Sequence, residues 1–268
     1  MNRRVWVLIG VLAAAVLVVF LLPPIPQNEA YHNFADQRSW LGISNCLDVI
    51  SNVPFLIVGL WGLFALSSRN APASCRLLDP RERSPYLVFF LGVALTAFGS
   101  SYYHLSPGDS RLVWDRLPMT VGFMGLLSAM VGERISLKAG LRALAPLVLL
   151  GLASVFYWRI TEQAGRGDLR PYALVQFGSM LTILLLVLLF PPRYTRGADL
   201  VVSFLIYGLA KAFEAADRPI FGLGGIVSGH TLKHLFAAFS AFWILLMLHR
   251  RRPLRIGREA TAAESGPC

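Results

Sequence analysis

The sequence predicts an all-α fold, a polytopic bundle of transmembrane helices, and three observations carry that expectation. Of 268 residues, 55% are hydrophobic and only 15% charged, and the mean hydropathy is +0.57. The apolar residues gather into eight near-continuous stretches, at about 5–22, 45–67, 85–104, 112–132, 141–158, 171–191, 199–216 and 229–249. The basic residues, which bring the net charge to +10, sit in short connections and in the tail "HRRRPLRIGRE". That distribution is the positive-inside pattern of a membrane protein and argues against nucleic acid as a partner. Cys46, Cys75 and Cys268 lie far apart, so neither a disulfide framework nor a thiolate metal site is expected.

The first stretch, "VWVLIGVLAAAVLVVFLL" after "MNRR", reads as a retained anchor. "PPIPQ" follows it where a secretory signal would place small residues for cleavage. Residues 1–30 are therefore expected to be an anchor and linker, 31–250 the main helical domain, and 251–268 a basic cytoplasmic tail. The connections 68–84 (Arg69, Arg76, Arg81, Arg83), 133–140 (Arg134, Lys138) and 192–198 (Arg193, Arg196) fall on one side of an eight-span chain, with Arg3, Arg4 and the tail. The opposite loops 23–44, 105–111 and 217–228 are poor in Lys and Arg. The glycines of "FGLGGIVSG" make the last of these a flexible outer loop and not a phosphate cradle. Only the 159–170 loop runs against the trend, and there Glu162 and Asp168 accompany Arg159, Arg166 and Arg170. Both termini are expected on the cytoplasmic side.

Placed on this topology, the polar residues converge. The third span ends in "FGSSYYH", with Ser100 and His104 one helical turn apart, and the fourth opens "LVWDRLPM" around Asp115. The short loop between them makes the two spans antiparallel neighbours and brings His104 and Asp115 to similar depth. The eighth span opens "SGHTLKH", which puts His230 and His234 on one helical face. The second begins "NCLDVISN", adding Asn45, Asp48, Ser51 and Asn52. His32 in the first outer loop and His249 near the tail need no special role.

Each of these residues has a plain reading beside a functional one. A lone interfacial histidine reaches headgroups, but an i, i+4 pair joined by a third imidazole can share one metal ion and leave a coordination position open. Asp115 is either a helix N-terminal acid paired with Arg116 or, being ionisable at membrane depth, the base that takes a proton from water. Ser100 bonds back to the carbonyl of residue 96, or it serves the bound water or substrate oxygen. Lys211 and Glu214 form an i, i+3 ion pair, with a grip on a polar headgroup as the alternative. Ser51 and Asn52 are further candidates for substrate contact.

At these residues the chain resembles the alkaline ceramidase family, within the wider group of seven-helix membrane hydrolases that includes the progestin and adipoQ receptors. The matching pieces are "SNVPF" at 51–55, "GSSYYH" at 99–104, "WDRLPM" at 114–119 and "SGHTLKH" at 228–234, and they run through nearly the whole chain. The resemblance implies a seven-helix core, to which the first span is an addition. It implies that His104, His230 and His234 bind zinc, that Asp115 activates water, and that Ser100 assists. The reaction it implies is cleavage of the amide of ceramide or a related N-acyl membrane lipid to a fatty acid and a free amine.

Eukaryotic members carry a calcium site before their first core helix. The equivalent "FADQRSWLGISNCLD" offers Asp36, Asn45 and Asp48 as oxygen donors, but Asn45 stands where a glutamate is expected, which argues against calcium. Lys233 lies inside the His-x-x-x-His step where the family tends to place aromatics. The arginine-rich chain is most similar to bacterial members, so a bacterial inner membrane is the expected location. A lipid receptor of the same superfamily without turnover is the main rival reading. A transporter, suggested by Lys211, Glu214 and Asp217, is a more distant one.

Overall fold

Inside lipid a backbone must satisfy its own hydrogen bonds, so long apolar runs can cross only as helices here. The computed structural model describes residues 3–67 and 77–254. Cys75, Cys268, Arg69, Arg76 and the tail beyond 254 lie outside the described residues.

Helix α1 spans Arg3–Leu21, α2 Cys46–Ile50, α3 Val53–Ser67, α4 Arg83–Leu105, α5 Asp109–Arg134 and α6 Leu137–Gln163. Then α7, Arg170–Ala173, runs through a single π turn at 174–178 into α8, Ser179–Leu189. Helices α9 (Asp199–Ala215), α10 (Asp217–Gly222) and α11 (Gly229–Arg250) complete the chain. No strand occurs among the described residues, only two isolated bridges. Every predicted span coincides with a helical segment.

Six of these segments are long and apolar enough to cross a membrane: Arg3–Leu21, Cys46–Ser67, Pro80–Leu105, Leu137–Gln163, Arg170–Leu189 and Gly229–Arg250. Helix α5 falls outside that group and carries Asp109, Arg111, Asp115, Arg116, Glu133 and Arg134. Helix α9 is 17 residues long. The architecture is that of an integral membrane helical bundle.

Two expectations needed correction. The second span is broken at Ser51 and Asn52 into α2 and α3, because both side chains bond back to the Asp48 carbonyl and compete with helix continuation. The glycine-rich outer loop is partly helical, since α10 occupies its first six residues.

Helix α1 has only Leu8 buried and touches α8 and the π turn, so it stands outside a core built from the other segments. In that core α5 packs between α4 and α6, while α11 packs on α9 and α3. The α4–α5 contact is close because of glycine. A Cβ on Gly92 would strike the backbone of Gly122, and one on Gly99 would strike the Trp114 carbonyl. Pro118 has no N–H to give that same carbonyl four residues back, so Gly99 approaches a carbonyl freed by proline. This contact sets Ser100 beside Asp115.

Candidate metal centre

Four segments deliver the site. His104 lies in the last turn of α4, Asp115 in the second turn of α5, His230 and His234 in the first turns of α11, and Ser51 at the α2–α3 break. The start of α11 is fixed at its orphan N–H groups: Ser228 accepts from Thr231 N at 3.0 Å, and Asp217 Oδ1 accepts from His230 N at 2.8 Å.

The three imidazoles form a near-equilateral triangle, with ring centroids 4.8, 4.9 and 4.8 Å apart. All three residues are buried, and one nitrogen from each lies within 4.8 Å of the others. His104 Nε2 and His230 Nε2 are 3.3 Å apart. Two nitrogens bound to one tetrahedral ion at ~2.05 Å would stand about 3.3 Å apart, so that pair is already at ligand spacing.

Hydrogen bonding points the same way. Ser51 Oγ is 3.1 Å from the Asp48 carbonyl and 2.8 Å from His234 Nδ1. If the hydroxyl donates to the carbonyl it accepts from Nδ1–H, which leaves the Nε2 lone pair of His234 pointing inward. That Nε2 is buried without a hydrogen-bond partner. A buried nitrogen is rarely left so, and a metal ion in the triangle satisfies it. The donor set fits the imidazole-preferring metals, zinc among them.

The remaining expected residues divide. Asp115 and Ser100 are buried and face one another on the cavity wall described below. Arg116 is not the partner of Asp115: it bonds Gln27 Oε1 at 2.6 Å and lies over the rings of Trp158 and Tyr172. Lys211 and Glu214 form the expected ion pair, and Lys233 joins it at 2.9 Å from Glu214 Oε1. Burial, then the Glu214 carboxylate, hold the Tyr31 phenol well above its ordinary pKa, so it stays protonated and donates to Glu214 at 3.1 Å.

Of the three candidate calcium donors, Asp36 takes Arg38 through both oxygens, which lowers its pKa. Asn45 donates its amide N–H to the His104 carbonyl at 2.8 Å, and Asp48 Oδ1 accepts from Thr231 at 2.7 Å while its Oδ2 is buried without a partner. Ser51 bonds His234 Nδ1, and Asn52 donates through Nδ2 to the Asp48 carbonyl with its Oδ1 buried and unpartnered.

Other site residues were not foreseen. Phe34, from the first outer loop, sits over the triangle with its ring centroid 4.6 Å from His104 and 4.4 Å from His230. His32, expected to have no role, bridges Tyr103 Oη at 2.8 Å and Asp109 Oδ1 at 3.0 Å and anchors that loop. Ala35 N donates to Asp217 Oδ2 at 2.8 Å, so one carboxylate ties the loop to α11. Lys233 could have been suspected, since it lies one turn from His230 on the same helix. Nothing local in "NEAYHNFADQR" marks Phe34.

Below the histidines lies an apolar cavity of about 110 Å³. Asp115, Ser100, His234 and Lys233 line its polar end, and it continues past Phe123 to Ile244. From Asp115 to Leu126, which also lines it, α5 rises about 16 Å, roughly half of a ~30 Å hydrocarbon core.

Fold and site together define an integral membrane helical bundle whose three buried histidines could hold a metal ion. No protein-family model matches the chain, and a search of curated proteins finds no match.

Proposed function

We propose that the protein is a zinc-dependent intramembrane lipid hydrolase, cleaving the amide of ceramide or a related N-acyl lipid to a fatty acid and a free amine. One observation carries the reading: the three-histidine triangle adjoins an apolar cavity through His234, and the buried Asp115 carboxylate stands on the same cavity wall. Its orientation on this reading puts both termini on the cytoplasmic side of a bacterial inner membrane and the site near the opposite face.

His104, His230 and His234 would hold the zinc. When bound, the ion supplies Lewis acidity that activates water and polarises the acyl carbonyl. Asp115 accepts the proton that water loses as its oxygen adds to the acyl carbon. It returns that proton to the amide nitrogen as the C–N bond breaks, so the amine leaves neutral. Ser100 faces Asp115 and steadies its carboxylate. Phe34 closes the outer side and limits bulk water at the reacting centre.

The test begins with elemental analysis of detergent-purified protein washed with chelator-treated buffer. About one zinc per chain, lost in His230→Ala without loss of fold, is the expected result, and it would be followed by assay against N-acyl lipids. A folded wild type that takes up no zinc when supplied would sink the reading.

A further inference from the structure

Lys233 neither holds the metal nor moves a proton in the scheme above, yet its side chain is only 12% exposed at the polar end of the cavity. Its Nζ lies 2.9 Å from Glu214 Oε1 and 3.4 Å from His230 Nε2. Lys211 pairs with the same Glu214 and lines the same cavity. Two ammonium groups thus share Glu214, with the Asp115 carboxylate also acting on Lys233, at membrane depth, where charged side chains are costly and mark ligand contacts. A structural ion pair would be complete with Lys211 and Glu214 alone. A cation this near a metal-ligating nitrogen is also repelled by the ion, unless an anion lies between them.

We propose, resting on the reading of the site as a lipid hydrolase, that Lys233 selects the substrate by binding an acidic group, carboxylate or phosphate, at the lipid's polar end. The ammonium has three hydrogens; Glu214 takes one and His230 Nε2 lies within reach of a second, so one donor is left to meet an anionic oxygen. The acyl chain occupies the cavity below, and the scissile amide falls between the acidic group and the chain. The preferred substrates are then N-acyl lipids whose amine portion carries an acid, in preference to an uncharged ceramide.

The experiment measures binding, not turnover, on the full-length protein as purified in detergent. Three probes of one chain length are compared: a fatty alcohol, the fatty acid and the alkyl phosphate. The wild type is expected to bind at least one acidic probe about tenfold or more tighter than the alcohol. Lys233→Met should remove that preference and keep alcohol binding, with Glu214 still paired to Lys211. Lys233→Arg should retain the preference, and Glu214→Gln, which removes the competing carboxylate, should widen it.

No preference in the wild type, or an undiminished one in folded Lys233→Met, overturns the proposal. So does inorganic phosphate binding as tightly as the alkyl phosphate, which would mean a free-anion site. An anion preference in a protein that hydrolyses no lipid would remove the hydrolase reading and leave the Lys233 assignment standing. Hydrolysis of neutral amides with no anion preference would do the reverse.

Discussion

The bundle buries polar groups at both ends, and the two clusters are built to opposite rules. At the Arg251 end, that residue's side chain, 1% exposed, pairs with Glu133 and stacks on Tyr194. Tyr86 donates to the same Glu133 at 2.7 Å, and Glu82 takes Tyr194 and Arg193. Glu133 meets Arg251 and Glu82 meets Arg193, although Arg251 Nε and Nη2 have no hydrogen-bond partner, and the cluster knots the start of α4, the end of α5 and the chain after α11 together. At the histidine end, three imidazoles crowd together with His104 Nε2 3.3 Å from His230 Nε2, His234 Nε2 lacks a partner, and His234 lines an apolar cavity. Buried opposite charges that pair are a structural device. Buried imidazoles crowded together beside a cavity are arranged for something else.

Substitutions at the two ends should separate these roles. The largest expected effect is at Asp115: Asp115→Asn should keep its zinc and fold while kcat falls about 10²- to 10⁴-fold, as loss of a general acid–base does. An unchanged rate would remove Asp115 from the chemistry. Next comes Glu133→Ala, which leaves Arg251 charged, buried and unpaired and should destabilise the bundle by about 3–5 kcal/mol in thermal unfolding. Metal stoichiometry in the surviving folded fraction should not change, and zinc loss there would mean the ends are coupled. The smallest effect is expected for Ser51→Ala, which frees His234 Nδ1. Metal affinity, read by competition with a chelator dye, should weaken about 10- to 100-fold, with the melting temperature little changed. Wild-type affinity in that variant would show that Ser51 does not fix the ring.

Much of the histidine cluster was legible because its parts are local in sequence. The i, i+4 spacing of His230 and His234 puts both on one face whatever the rest of the chain does. The short link after His104 forces α4 and α5 to be neighbours, which brings Asp115 to the same depth. The Arg251 cluster was not legible. Arg251 and Glu133 are 118 residues apart, and both sit in runs that read as positive-inside loops and helix ends. Lys233 and Phe34 were missed for related reasons: one passed as a residue between ligands, the other as loop.

By itself the sequence determined that this chain is a membrane-embedded helical bundle, roughly where its spans lie, and which histidines share a face. Those follow from hydropathy and helical period, which act over one or two turns. Only the tertiary structure decided that Ser51 holds His234, that Phe34 caps the triangle, that Glu214 takes two lysines, and that a cavity lies beneath the histidines. These depend on which helices touch and at what rotation. That is set by close approaches such as Gly99 on the Trp114 carbonyl, between residues with no pattern in the chain to link them.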